Sequence, residues 1–251
     1  MNKKRLILKR RLRQNRTRSG SVSLDRCGLY GFKTLSGLSR ILWQSNKGIR
    51  AMARQPTYAE WVERKPGKKS RPIQDPRGDT EKVHYRIYEL LDRVQRPEFL
   101  HSATRRRSIV TNAKRHIGST PCVATDMKSC YEATTIHHVA RFFQCDLCIG
   151  SDLAWKLAHI CTIHGHLPTG SCLSPLLAYW AHRKAFDEID RLCMSVGVRM
   201  TVYVDDLTLS GARATVALLH RCKTILASAG LATHKDMSFP AGRFKIVTGV
   251  A

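Results

Sequence analysis

Tyr203-Val204-Asp205-Asp206-Leu207-Thr208-Leu209-Ser210 is a β-rich run interrupted by two acids. Residues 199–204 and 207–210 have the composition of strands, so the stretch predicts a hairpin with both aspartates at its tip. Adjacent carboxylates in a tight turn repel each other and weaken it unless cations sit there. A solvated Asp-Asp turn is the bland alternative. A third acid changes the balance: 122–125 reads as a short strand that ends in Asp126. Should that strand neighbour the hairpin, Asp126, Asp205 and Asp206 converge at one sheet edge. Hard divalent cations favour such oxygen-rich sets, and Mg²⁺ is usually held by one or two carboxylates together with substrate phosphates. Two such ions clamp the attacking and leaving oxygens of a phosphoryl transfer.

Outward from this hairpin, apolar spacing predicts helices over 135–143 and 152–163. A longer helix is expected over 174–197, opened by Ser174 as N-cap with Pro175 at N1 and closed by Gly197. Another is expected over 212–229, ending at Gly230, and a final strand over 244–247. Strand, helix, two strands, helix, strand is the split βαβ, ferredoxin-like order of an α+β fold. On the N-terminal side, helical spacing covers 35–53 and 81–94. Between them lies Trp61-Val62-Glu63-Arg64-Lys65-Pro66-Gly67-Lys68-Lys69-Ser70-Arg71-Pro72-Ile73, a hairpin by its Pro-Gly turn and loaded with cations. Three regions result: a basic arm over 1–24, a basic lobe over 25–120, and the α+β unit over 121–251.

Among 251 residues, 43 Lys and Arg face 19 Asp and Glu, for a net charge of +24. This imbalance calls for a polyanionic partner. Hydrophobic residues make up 43 %, enough to exclude disorder throughout. No apolar run approaches a membrane span, and Leu6-Ile7-Leu8 is too short for an export signal, so a cytoplasmic protein without a membrane partner is expected. Residues 1–20 hold many cations and no acid, the pattern of a phosphate-neutralising arm or of a merely solvated tail. Nine cysteines, an odd number, read as reduced thiols. Cys145 and Cys148 with His159, Cys161, His164 and His166 approach a zinc spacing, but no second Cys pair follows, and core thiols with surface histidines are the preferred reading.

Read together, several segments resemble the retron reverse transcriptases. Asp126-Met127-Lys128-Ser129-Cys130-Tyr131, Leu167-Pro168-Thr169-Gly170 with Ser174-Pro175, and Tyr203-Val204-Asp205-Asp206 look like the palm motifs of reverse transcriptases. Ser108-Ile109-Val110-Thr111-Asn112-Ala113-Lys114-Arg115-His116 resembles the NAxxH signature of the retron type, and Val247-Thr248-Gly249 its VTG triplet. The similarity runs in the expected order over about residues 35–250.

That resemblance implies a right-hand polymerase fold with a basic fingers lobe and a ferredoxin-like palm. It implies an RNA-directed DNA polymerase that copies a structured non-coding RNA into RNA-linked DNA. Asp126 and Asp205 would hold two Mg²⁺ ions, replaceable by Mn²⁺, with Asp206 beside them and the Met127 carbonyl as a further ligand. Lys65, Lys69 and Arg71 match residues that embrace the triphosphate of the dNTP. Tyr131 falls on the position that excludes a 2′-hydroxyl, and Gly170 on one where backbone approaches the primer–template pair. Asn112, Arg115 and His116 would contact RNA, or Asn112 and His116 would instead cap and pin a local helix. Lys235 is the nearest candidate for a general acid toward pyrophosphate. Its spacing is irregular, since the family's Lys position is Met237 and its Asn is His234. Thr169 stands for a usual Gln, Tyr179 for Asn, Cys130 for Phe and Val204 for Ala. The chain stops right after the triplet, where the family continues into a thumb. Members of the family serve in phage defence, some with an effector protein. A catalytically impaired scaffold for RNA is the alternative reading.

Overall fold

The computed structural model describes residues 22–250 apart from 65, 68 and 69. The expected arm over 1–24 therefore lies almost wholly outside the described residues, as do Lys65 and Lys69. Two short helices open the fold, α1 (Leu35–Ile41) and α2 (Asn46–Arg54). The single helix expected over 35–53 is broken because two capping side chains start separate helices. Thr34 accepts from the Gly37 amide and Ser45 from the Gly48 amide. Between them Trp43 takes a left-handed backbone, and its ring lies over the Arg86 guanidinium at 3.9 Å.

The cationic hairpin is present as β1 (Tyr58–Glu63) and β2 (Arg71–Pro76), an antiparallel two-stranded sheet. Helix α3 (Gly78–Asp92) follows, burying Val83, Ile87, Leu90 and Leu91 along one face. A one-and-a-half-turn helix, α4 (Ile109–Lys114), is closed by a capping box between Ser108 and Thr111.

Next come β3 (Cys122–Met127), the short α5 (Cys130–Ala133) and α6 (Ile136–Arg141), which widens into a π turn through Asp146. Helix α7 (Ser151–Cys161) precedes α8 (Ser174–Ala181) and α9 (Arg183–Ser195). The one long helix expected over 174–197 is thus two. It breaks at His182, whose amide turns to the Tyr179 carbonyl three residues back and whose buried ring hydrogen-bonds the Thr134 hydroxyl. Ser174 is the first helical residue, not the cap, and its hydroxyl donates to the Pro168 carbonyl at 2.6 Å.

The hairpin β4 (Arg199–Tyr203) and β5 (Asp206–Ser210), helix α10 (Val216–Ser228) and strand β6 (Thr233–Phe239) complete the fold. The four-stranded sheet has the order β4-β5-β3-β6, all neighbours antiparallel, with α9 and α10 packed against it. This is a split βαβ arrangement, but its last strand is not the one expected. Residues 244–247 form no strand; Phe244 is exposed, and Val247 makes only an isolated bridge to Val250. Apolar content pointed to the wrong segment, because β6 is a polar edge strand held by its backbone ladder to β3.

One continuous apolar core runs from Cys27 to Leu231, with Phe142, Phe143 and Met127 among its fully buried side chains. Truncating one such residue to Ala typically costs about 2–5 kcal/mol. Among the described residues no helix is long and apolar enough to cross a membrane.

Candidate active site

The three acids meet at the end of the four-stranded sheet. Asp206 pairs with Tyr203 across the hairpin and with Asp126 on β3. Only Val204 and Asp205 remain for the loop, and Val204 takes φ 57°. A two-residue hairpin turn wants glycine at such a position, so a β-branched residue there is strained. The Met127 amide donates to the Asp205 carbonyl at 2.7 Å, which pins the tip onto β3. Burial pushes the Asp205 carboxyl up, and the nearby Asp126 charge adds to this. Asp206 is pushed up to about 6, first by burial and then by Asp205 and Asp126. Such mutual repulsion in a partly desolvated site is what a divalent cation would relieve.

A β-bulge brings a cation to the cluster. Asp126 pairs with His234 while Ala124 pairs with Met237, so Lys235 and Asp236 together oppose Thr125. Lys235 has φ 54°, and its ammonium donates to Asp126 Oδ2 at 2.6 Å. That hydrogen bond and the Asp126 charge raise the Lys235 pKa. The Thr125 hydroxyl donates to Asp236, which Lys223 also holds, so the bulge is tied from its far side. The extra residue of the bulge aims the Lys235 side chain at Asp126. His234, which the sequence reading did not assign, places Nε2 3.2 Å from the same Asp126 oxygen.

The cationic hairpin faces this cluster. Arg71, at the start of β2, is close enough to lower the Asp205 pKa against the larger effects that raise it. The hairpin is locked in place by the loop over 167–171. The Thr169 hydroxyl donates to the Pro72 carbonyl at 2.7 Å and accepts from the Gln74 amide at 3.1 Å. Gly170 donates to the Gln74 carbonyl, and a Cβ there would sit 2.7 Å from that oxygen. The close approach expected at Gly170 is therefore made to β2 of the same chain. A buried network finishes the lock: His84 bonds the Ser171 hydroxyl and the Ile160 carbonyl, which also accepts from the Tyr58 hydroxyl.

Tyr131 is half-buried near Asp205; burial comes first among the causes that raise its pKa, with Cys130, Asp205 and Tyr203 following. Cys130 beside it is pushed up to about 12 by burial and by the Asp205 and Asp126 charges.

Asn112 and His116, for which the sequence leaves RNA contact and a local structural role both open, are buried. His116 Nδ1 lies 2.7 Å from the Ser210 hydroxyl and Nε2 2.7 Å from that of Thr201, and burial depresses its pKa to about 3. Asn112 reaches Thr248 at 3.5 Å, so the NAxxH and VTG segments meet each other. The buried His116 finds both of its partners within the chain, while the Asn112 Oδ1 is buried without one among the described residues. Arg115 remains half-exposed, ion-paired to Glu98.

Among the described residues no three His, Cys, Asp or Glu side chains stand as a preformed metal cage. At the sheet edge the reason is visible, since Lys235 and His234 both engage Asp126. The donor chemistry still suits a hard cation, because burial and the neighbouring acids raise the carboxyls of Asp205 and Asp206. Cys145 is exposed, and the Cys148 thiol points to the Cys145 carbonyl at 3.8 Å.

Residues 63–236, more than half of the chain, match the reverse transcriptase (RNA-dependent DNA polymerase) family. The chain is 23 % identical over 150 residues to the Retron Se72 reverse transcriptase of Salmonella heidelberg (strain 579083-10), covering 59 % of this chain and 40 % of that protein. It is 30 % identical over 151 residues to the Retron Ec86 reverse transcriptase of Escherichia coli, covering 59 % of this chain and 47 % of that protein. The chain thus matches less than half the length of these curated relatives. A solved structure of apo telomerase from Candida tropicalis, truncated from its C-terminal domain, shares the fold. It superposes with a TM-score of 0.52 at 11 % identity, over 74 % of this chain and 50 % of that one. The chain belongs to the reverse transcriptase (RNA-dependent DNA polymerase) family, with retron reverse transcriptases among its relatives.

Proposed function

We propose that the chain is the polymerising part of a retron-type reverse transcriptase, which copies a structured RNA into DNA. The convergence of Asp126, Asp205 and Asp206 at one sheet edge, with Asp206 raised to about 6, is the observation that carries this reading. On it, the sheet with α9 and α10 is a palm and the β1–β2 lobe a set of fingers. Asp126 and Asp205 hold two Mg²⁺ or Mn²⁺ ions, with Asp206 and the Met127 carbonyl beside them. When bound, the ions neutralise the carboxylates and stabilise charge on the attacking and leaving oxygens. Arg71, together with Lys65 and Lys69, receives the triphosphate of a dNTP. Tyr131 closes the site against a 2′-hydroxyl, and Lys235 stands where a proton is needed at the departing pyrophosphate. Binding and alignment of primer and nucleotide supply the remaining acceleration.

Primer extension on a structured RNA tests the assignment. Asp205→Asn is expected to lower incorporation at least a hundredfold, and equal incorporation by both proteins would sink it. Sequencing nucleic acid that co-purifies with the protein adds the substrate, since a branched RNA–DNA species is expected.

The pairing of Lys235 and His234 with Asp126 favours a second reading, an RNA scaffold without catalysis. Isothermal titration of Mg²⁺ and a dNTP into the RNA complex separates the two, because a scaffold takes up neither.

A further inference from the structure

The exposed faces of α2 and α7 converge on a groove that shares no residue with the carboxylate cluster. Its volume is about 410 Å³. From α2 come Arg50 and Arg54, one helical turn apart and both exposed, while Ile49 and Met52 point into the core. From α7 come Trp155, Lys156 and His159 on a single face, with Leu153, Leu157 and Ile160 buried behind them. Lys156 is ion-paired to Asp152 one turn earlier, the one acid in the groove's lining, so among the described residues the remaining charge of the groove is that of the two arginines.

Its aromatic wall is preorganised. The Trp155 indole meets the exposed His137 ring edge-on, with centroids 5.2 Å apart at 89°. It also meets the His159 ring at 6.3 Å. Partly buried against the core and in contact with both rings, Trp155 loses little freedom when a further planar group settles on its open part. Guanidiniums suit phosphate oxygens, and an indole face suits a nucleobase. The alternation of cations and a partly exposed ring is the pattern by which unpaired strands are held without reading their sequence.

We infer that this groove is a second nucleic-acid site, which takes an unpaired stretch of strand with phosphates on Arg50 and Arg54 and a base on Trp155. It anchors strand away from the carboxylates and needs neither metal nor dNTP. The inference therefore stands or falls separately from the polymerase reading.

Fluorescence anisotropy of the full chain tests it, with labelled oligouridylate and oligodeoxythymidylate, no divalent metal and no nucleotide. Arg50→Gln with Arg54→Gln is expected to weaken binding about tenfold. The slope of log affinity against log salt should fall by about 1.4, at about 0.7 per phosphate contact on a single strand. Arg105→Gln with Arg106→Gln removes the same charge from exposed positions elsewhere and should do clearly less. Trp155→Leu should cost about tenfold with the salt slope unchanged, and Trp155→Phe should recover most of it. If Trp155→Leu fails to fold, the arginine pair decides. Tighter binding of the ribose strand assigns the groove to RNA, tighter binding of the deoxyribose strand to the DNA product. Equal losses from the two arginine pairs, on both oligonucleotides, would overturn the site.

Discussion

Val204 occupies the backbone position that a two-residue hairpin turn reserves for glycine. The left-handed conformation costs a residue with a Cβ about 1–2 kcal/mol. What holds it there is the Met127–Asp205 bond and the Asp126–Asp206 pairing, so strain is concentrated where the carboxylates must be aimed. Gly170 meets a different constraint, since its missing Cβ is what lets the 167–171 loop lie against β2. Gly170→Ala must push backbone against backbone and is expected to cost about 1–3 kcal/mol. Thermal unfolding measures this, and incorporation should fall with it as the Arg71 hairpin shifts. A melting temperature equal to the parent's would show that the loop moves freely.

At the level of elements, the bulge in β6 has the clearest consequence. Lys235→Met keeps the length of the side chain and removes the charge that engages Asp126. Little change in melting temperature is expected, because the ammonium is exposed. Incorporation should fall about a hundredfold if Lys235 acts on the proton, as is usual for a general acid. Unchanged single-turnover rates would exclude that role. The elements also show what sequence patterning conveys. The β4–β5 and β1–β2 hairpins were legible because turn chemistry is local, but the tip expected at both aspartates is Val204-Asp205, with Asp206 already in β5 and paired to Tyr203. The bulge was not legible, since an inserted residue appears only once β6 is laid against β3. β6 itself was missed because its stability comes from a backbone ladder, which leaves no apolar trace. The helix breaks at Trp43 and His182 were hidden under continuous apolar spacing. The choice between RNA contact and a structural role for Asn112 and His116 was not legible, because polar side chains in a basic segment look exposed until their partners, Thr248, Ser210 and Thr201, are known.

For the whole molecule, four buried histidines set the acid limit of the fold. Burial depresses His84 and His101 to about 4, and His116 and His182 to about 3. All four are neutral when folded, whereas in the unfolded chain they take up protons below about 6.5. Their stabilisation is complete above that value and is lost progressively as the pH falls toward 4 and 3. By pH 5.5 each is expected to withdraw roughly 1 kcal/mol. Asp206, raised to about 6, acts in the opposite sense between its ordinary value and 6, as do the raised Asp187, Asp190 and Asp205, and between pH 7.5 and 5.5 the four histidines are expected to outweigh them. The melting temperature should therefore drop between pH 7.5 and 5.5, and drop less in His116→Gln. A flat profile would contradict the burial of these rings. The charge of +24 bears on partners more than on stability. It is spread over the hairpin, the α2–α7 groove and the N-terminal residues, so affinity for nucleic acid is expected to fall steeply with salt.

Both outer strands of the four-stranded sheet present backbone groups that another chain could extend. On one side Phe99 and His101 exchange backbone hydrogen bonds with Val202 and cover β4. On the other, no strand among the described residues pairs with the outer side of β6, and an open flat strand is a template for aggregation. The Lys235–Asp236 bulge breaks the spacing of its donors and acceptors and sets charges on the edge. A second molecule is thus denied a regular ladder, and the distortion that turns an ammonium toward Asp126 also guards the sheet against growing end on end.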